Sequence, residues 1–165
     1  MSNLTYGELT EEGLKTLLSN LDIDNKIFYD LGSGKGEVVI NAIKNYPSLN
    51  KAIGIELVEE RHQEAEVKKK KLSNNLRNKV NFINGDLISN NLKIDNADFI
   101  YISNLCFNDK LNEKIAKKIN DESKSGTLIF SSKNIPLKSV DCTYKRKVKQ
   151  SWVESSNIFV NIIKK

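Results

Sequence analysis

Apolar runs and helix-like stretches alternate along this chain. Runs of five or six mostly apolar residues, each ending in polar or glycine-rich sequence, predict buried strands; they occupy 27–31, 51–56, 80–84, 97–102 and 127–131. The stretches between them predict helices at 37–46, 58–76 and 109–121, and an additional helix is predicted at 11–21. Two final strands, 143–149 and 157–163, are joined only by a loop.

This alternation determines the expected fold. Strands separated by helices form βαβ crossovers, so the sheet is expected to be mostly parallel. The last two strands have no helix between them and predict an antiparallel hairpin at one sheet edge. We therefore expect an α/β sandwich with a sheet of about seven strands. A length of 165 residues is typical of a single domain, which we expect to span residues 1–165.

The link between the first strand and its helix is rich in glycine. It reads Asp30-Leu31-Gly32-Ser33-Gly34-Lys35-Gly36, and such glycines let a backbone turn tightly and come close to a ligand. The spacing is neither that of a P-loop nor that of the dinucleotide fingerprint GxGxxG. The acidic residue in front suits a ligand that carries an ammonium group rather than a pyrophosphate. Alone, this turn is weak evidence for a ligand, since a tight strand-to-helix connection also uses glycines.

Two further acids follow the next strands. Glu56 ends the second strand, where a carboxylate can accept hydrogen bonds from a ribose diol. Asp86 ends the third strand, where it could accept from an adenine amino group while Leu87 packs on the ring. Each acid alone could be an exposed strand-end residue, and 84–86 could be a plain Asn-Gly turn. Together with the glycine-rich turn, they predict a nucleotide-like cofactor at the strand ends.

Charge is unevenly distributed between the two halves. Residues 1–66 hold 6 Lys/Arg and 12 Asp/Glu, whereas residues 67–165 hold 20 and 9. This asymmetry favours an anionic partner for the second half, contacted by Lys68–Lys71 and by the basic residues of 145–149. The alternatives are a solvated lysine-rich surface and an edge strand whose lysines block sheet pairing.

Composition excludes several classes of protein. No run approaches 18 apolar residues, so we expect no transmembrane helix, and the sequence at Met1–Thr5 predicts no secretory signal. Two cysteines, Cys106 and Cys142, and one histidine, His62, argue against a disulfide scaffold and a Cys/His zinc site. A reducing cytosolic or nuclear location is expected. His62 lies in a charged helix and is expected at the surface.

Several separate segments together resemble one family. The glycine-rich turn resembles motif I of class I S-adenosylmethionine methyltransferases. With the other segments, it resembles the disruptor-of-telomeric-silencing family, the non-SET histone lysine methyltransferases. The other segments are Thr5-Tyr6-Gly7-Glu8, Ser103-Asn104-Leu105-Cys106-Phe107, Ser131-Ser132-Lys133 with Pro136-Leu137, Ser151-Trp152, and Phe159.

The resemblance implies a class I, Rossmann-like methyltransferase sandwich that binds S-adenosylmethionine. In such proteins a loop closes over the methionine part, an acid takes its amino group, and glycines lie against the ligand. A second acid then holds the ribose, and a third acid and its neighbour hold the adenine. The loop is Tyr6, Gly7 and Glu8, the first acid is Asp30, and the glycines are Gly32 and Gly34, with Glu37 beside them. The second acid is Glu56, and the third acid and its neighbour are Asp86 and Leu87.

The resemblance also implies the reaction, which is methyl transfer to a lysine amine of a nucleosomal histone, in the nucleus or wherever chromatin lies. Asn104 and Ser103 would lie beside the sulfonium, with Tyr6 in the closing loop. The walls of the lysine channel would be Phe107, Trp152 and Phe159. The basic segments would contact DNA phosphates or an acidic histone surface. A non-histone protein lysine as substrate, or an inactive chromatin-binding module, remain alternatives.

The chain departs from the family pattern at four positions. Ser103 replaces the first of two adjacent asparagines, the one nearest the methyl group. Leu9 stands where a hydroxyl residue usually follows the loop glutamate, and Glu37 replaces a neutral amide near the methionine carboxylate. Phe159 stands where a tyrosine is common.

Overall fold

A seven-stranded sheet with helices on both faces organises the chain in this computed structural model, which describes residues 8–150 and 153–165. The strands are β1 (Ile27–Leu31), β2 (Lys51–Glu56), β3 (Val80–Asn84), β4 (Phe99–Ile102), β5 (Leu128–Ser131), β6 (Val140–Gln150) and β7 (Val153–Ile163). The helices are α1 (Glu11–Leu18), α2 (Glu37–Asn45), α3 (Glu59–Lys70), α4 (Asn74–Arg77) and α5 (Asp109–Glu122).

The strand order is β3-β2-β1-β4-β5-β7-β6. Strands β1 to β5 are parallel, and β7 runs antiparallel to both of its neighbours. The predicted parallel sandwich with a C-terminal hairpin is therefore confirmed. The order reverses direction between β1 and β4, and ligands of open α/β sheets bind at such a switch point, beyond the strand C-termini.

Alternation along each strand divides the core between two faces. Phe28, Phe99 and Tyr101 lie on the face that packs against α1 and α2. Ile100 and Ile102 lie on the opposite face, where α5 covers them. The β1–β4 register sets Asp30 directly opposite Tyr101, so these two side chains share the first face.

The predicted helix at 58–76 is interrupted in the structure. Helix α3 ends at Lys70, the backbone is extended at Ser73 (ψ 158°), and the short α4 follows. The interruption turns Leu72 into the core, and the Arg77 side chain donates to the Leu72 carbonyl at 2.9 Å. Burial of one apolar residue thus outweighs continuation of a lysine-rich helix.

The hairpin strands are longer than their sequence pattern predicts. β6 and β7 each span 11 residues, because they pair with each other almost from end to end. Register shifts occur between Val140 and Cys142 and between Val148 and Gln150.

His62, expected at the surface, is half-buried on α3. Across the two described ranges, no helix combines the length and the apolar character that crossing a bilayer requires.

Candidate active site

The glycine-rich loop curls over the end of β2. The backbone N–H groups of Gly32 and Ser33 donate to the Ile55 carbonyl at 2.8 and 2.9 Å. Gly36 then donates to the Ser33 carbonyl at 2.9 Å and starts α2. These bonds hold the loop at the C-terminal edge of the sheet, beside the switch point.

Two of the loop glycines serve different purposes. At Gly36 (φ +87°), a Cβ would lie 2.7 Å from Phe82 Cζ and 2.8 Å from Ala65 Cβ, so the glycine lets α2 pack against β3 and α3. At Gly34 (φ +56°), a Cβ would meet no described atom within 4 Å. Among the described residues, Gly34 therefore leaves room for a ligand to approach the backbone.

Asp30 is a buried carboxylate that a neighbouring cation would stabilise. The residue is only 3% exposed, and its Oδ1 has no hydrogen-bond partner among the described residues. Burial raises the pKa of the Asp30 carboxyl well above its usual value, and the negative charges of Glu56 and Glu8 raise it further. A positively charged ligand group beside Asp30 would offset all three effects.

Glu56 combines a structural role with remaining capacity for a ligand. Its Oε1 accepts from the Gly34 N–H at 2.7 Å and its Oε2 from the Val58 N–H at 3.0 Å. The Asn84 side chain donates to the Glu56 carbonyl at 2.9 Å and fixes this strand end against β3. A carboxylate offers about four acceptor sites, so Glu56 can also accept from ribose hydroxyls.

Leu87 and Phe107 both approach the glycine loop at Gly32. A Cβ at Gly32 would lie 3.8 Å from Leu87 Cδ2 and 3.6 Å from Phe107 Cζ. Neighbouring Asp86 is exposed, and its Oδ1 accepts from the Ile88 N–H at 3.1 Å. Phe107, expected in the lysine channel, thus lies against the same apolar wall as Leu87.

Asn104 is placed differently from its expected role beside the sulfonium. It is fully buried, and its amide donates to Asn112 Oδ1 (3.0 Å) and to the Lys133 carbonyl (2.9 Å). Its Oδ1 accepts from the Lys133 N–H (2.8 Å) and the Ser132 hydroxyl (3.2 Å). These four bonds use the whole capacity of the side chain, so none remains for a substrate. The direct role is therefore corrected to a structural one.

Ser103 takes the position that faces the candidate site. It is half-buried and lies two residues after Tyr101, on the side of the sheet that carries Asp30. Tyr101 is buried beneath it, and burial, followed by the charge of Asp30, raises the pKa of the Tyr101 phenol. The Tyr101 hydroxyl therefore stays protonated at neutral pH.

The remaining predicted residues are spread along the same edge. Phe159 pairs with Ser131 at the end of β5 and is half-buried, with Lys145 Nζ 5.3 Å above its ring. Glu8 lies close enough for its charge to act on Asp30. Tyr6, Gly7 and Trp152 lie outside the described residues.

Glu37 forms an ion pair that the sequence does not reveal. Lys68 Nζ lies 2.6 Å from Glu37 Oε1 and also donates to the Lys35 carbonyl at 2.9 Å. Lys68 therefore ties α3 to the glycine loop, and its expected availability for an anionic partner is corrected.

Arg146 is likewise engaged within the chain. Its guanidinium donates to the Leu17 carbonyl at 3.4 Å and to Ser19 Oγ at 3.0 Å, at the end of α1. Its expected contact with an anionic partner is therefore corrected to a helix-end contact. Lys145 and Lys147 are exposed, and their contact with an anionic partner stays a prediction.

Two residues of α5 belong to the site's support and were missed. Asn112 and Lys118 are buried, and Lys118 donates to the Ser89 carbonyl at 2.8 Å and pairs with Glu122 at 2.9 Å. Lys118 thereby holds the segment after Asp86. The available signal was a polar residue at helical spacing with the buried Ile115 and Ile119.

In the described part of the chain, no cluster of His, Cys, Asp or Glu has the composition of a metal site.

These features define the class of protein. The strand order, the glycine loop after β1 and the carboxylates at the C-terminal ends of β1, β2 and β3 make up the class I methyltransferase fold. The crystal structure of TrmN from Thermus thermophilus has this fold, with a TM-score of 0.74 and 14% sequence identity. That similarity covers 93% of this chain and 48% of the TrmN chain.

The chain belongs to a particular family of this class, the histone methylation protein DOT1 family, whose model matches residues 1–159. The resemblance in the sequence is thus confirmed. A histone-lysine N-methyltransferase of Candida glabrata, H3 lysine-79 specific, is 30% identical over 145 residues, which are 81% of this chain and 22% of that protein. A protein-lysine N-methyltransferase of Saccharolobus islandicus is 30% identical over 105 residues, covering 64% of this chain and 60% of that protein. The chain thus spans about a fifth of the Candida protein.

Proposed function

We propose that residues 1–165 form one methyltransferase domain that transfers the methyl group of S-adenosylmethionine to a lysine side chain of a nucleosomal histone. The observation that carries this proposal is the buried Asp30 carboxylate, which has no described partner at Oδ1 and stands directly before the glycine loop in the chain. Membership of the DOT1 family supports lysine as the acceptor. Chromatin is then the place of action.

The residues at the strand ends fit the methyl donor. Asp30 balances the positive charge of its methionine part, and Glu56 accepts from the ribose hydroxyls. Asp86 accepts from the adenine amino group while Leu87 packs on the ring. When bound, S-adenosylmethionine supplies a methyl group activated by a sulfonium.

The acceptor amine must be uncharged to attack. An ordinary lysine has a pKa of about 10.4, so the site has to favour the neutral form. Phe159 and Trp152 are proposed as apolar walls that dehydrate the amine and lower its pKa. Ser103 is proposed to orient the amine, so that the rate depends on proximity rather than on a dedicated base.

The exposed basic residues are proposed to dock the nucleosome. Lys145 and Lys147 lie on the uncovered side of the edge strand, and Lys70 and Lys71 are exposed at the end of α3. Lysines that contact phosphates release counterions, so this docking weakens as salt rises.

A second candidate substrate is a lysine of a non-histone protein. The archaeal relative is described only as a protein-lysine N-methyltransferase, and the match covers 60% of that protein. That share is larger than for the histone-specific relatives, which extend far beyond the matched region.

Tritiated methyl transfer distinguishes these candidates. Reconstituted nucleosomes, free histones and an unrelated lysine-rich protein are incubated side by side with labelled S-adenosylmethionine. We expect label on a nucleosomal histone, and loss of both label and calorimetric cofactor binding in Asp30→Ala. Label only on the unrelated protein would favour the second candidate, and no uptake of the donor by the unaltered chain would refute both.

A further inference from the structure

The turn after β4 is held by a network of buried amides. This turn, residues 104–107, is closed by a bond from the Phe107 N–H to the Asn104 carbonyl at 3.1 Å. The Asn104 side chain joins it to the loop after β5 through Ser132 and Lys133. The reverse orientation of this amide would set its NH₂ group against the Lys133 N–H, so the hydrogen bonds determine the orientation.

Asn112 holds both ends of the same turn from helix α5. Its Oδ1 accepts from the Asn104 amide at 3.0 Å, and its Nδ2 faces the Phe107 carbonyl at 3.4 Å. Asn112 is only 3% exposed, and its backbone N–H donates to the Asn108 carbonyl at the start of the helix. The helix therefore fixes the turn through one side chain.

The turn borders the candidate site at each end. Ser103 precedes it directly, and Phe107 ends it with its ring 3.6 Å from the Cβ position of Gly32. A displacement of the turn would therefore move both residues at once. Misplacement of about 1 Å at a reacting centre can lower a rate by about a hundredfold.

We propose that Asn112 is a positioning residue for methyl transfer. Through Asn104 it holds Ser103 and Phe107 in register with the glycine loop, without touching donor or acceptor itself. This inference rests on the proposed function. It concerns the rate of transfer and the order of the turn, rather than cofactor uptake.

The first test compares Asn112→Leu with Asn120→Leu. Asn120 lies on the same helix, is half-buried, and accepts from the Lys138 N–H at 3.0 Å, at the far end of the β5 loop. Asn112→Leu should lower kcat at least about tenfold while the Kd for S-adenosylmethionine changes less than about threefold. Asn120→Leu should lower stability without lowering kcat. Equal kcat values in the two variants at equal stability would overturn the proposal.

Asn112→Asp tests the same role through pH. An aspartate keeps an acceptor for the Asn104 amide, and its protonated form also keeps a donor towards the Phe107 carbonyl. Burial raises the pKa of such a carboxyl. The ratio of variant kcat to unaltered kcat should therefore rise as the pH is lowered from about 8 to about 6. A flat ratio would contradict the proposal, including where Asn112→Leu fails to fold.

Amide hydrogen exchange separates this inference from the proposed function. Asn112→Leu should speed exchange of the Phe107 and Lys133 amides at least about tenfold, with the Lys138 amide unchanged. If Asn112→Leu exchanges faster, but the unaltered chain binds the donor and methylates no tested lysine, the proposed function is refuted and the anchoring of the turn stands. Unchanged exchange together with normal methylation would refute the positioning role alone.

Discussion

The two glycines of the loop allow cofactor binding and stability to be perturbed separately. Gly34→Ala and Gly36→Ala each add one methyl group at a positive φ, +56° and +87°. At Gly36 the added carbon would lie 2.7 Å from Phe82 and 2.8 Å from Ala65, whereas at Gly34 it would meet no atom of the described residues within 4 Å. The chemical change is the same, but only one of the two methyl groups meets the core.

The expected losses of stability follow from this geometry. A left-handed conformation costs a non-glycine residue about 1–2 kcal/mol, and this cost applies to both variants. Overpacking adds about 1–3 kcal/mol at Gly36 alone, because Ala65 Cβ is held by the backbone of α3. Gly36→Ala should therefore lose about 2–5 kcal/mol, which lowers Tm by about 4–20 °C for a domain of this size. Gly34→Ala should lose only about 1–2 kcal/mol, which is what the left-handed conformation costs.

Thermal unfolding and calorimetry measure the two effects. Gly34→Ala should bind S-adenosylmethionine at least about tenfold more weakly, a cost of about 1.4 kcal/mol, because its methyl group occupies ligand space. Gly36→Ala should retain its affinity at temperatures where it remains folded. The reasoning is refuted if Gly34→Ala binds the donor normally, or if it is destabilised as much as Gly36→Ala.

Three other predictions address charge. Because the raised pKa of Asp30 leaves the folded state holding more protons, stability of the ligand-free chain should fall as pH rises from about 4 through that pKa, and Asp30→Asn should flatten the curve in thermal unfolding. Lys118→Met should cost about 3–5 kcal/mol in urea unfolding, because it leaves the Glu122 carboxylate largely buried without its partner. Arg146→Ala should lower stability but leave the salt dependence of nucleosome binding unchanged in gel shifts, whereas Lys145→Glu should weaken binding and reduce the slope.

The fold follows from the sequence because its signals are local. Strands β1, β2, β4 and β5 are largely buried and read as apolar runs. An acid lies at or directly after the end of β1, β2 and β3. The interrupted helix at 71–73 was not predictable in this way. Whether Leu72 enters the core depends on how α3 packs, and that is settled by tertiary contacts rather than by helical periodicity.

The face of the sheet to which a side chain points can be predicted from alternation along a strand. Alternation along β4 sends Ile100 and Ile102 towards α5, so Asn104 follows them to that face and Ser103 points the other way. On β6, the same rule separates Arg146 and Val148, which face α1, from Lys145. The ion pair between Glu37 and Lys68 could not be predicted, because it joins two helices whose relative placement is a product of folding.

Two buried polar residues at the same sheet edge show what distinguishes scaffold from ligand site. Asn104 is surrounded by partners for all four of its hydrogen bonds, as expected for a group retained for structure. Asp30 is buried to a similar degree, yet its Oδ1 lacks a described partner, and such a deficit costs the folded chain about 1–3 kcal/mol or more. An apolar residue at position 30 would avoid that cost. The carboxylate is therefore explained by a ligand that supplies the missing positive charge.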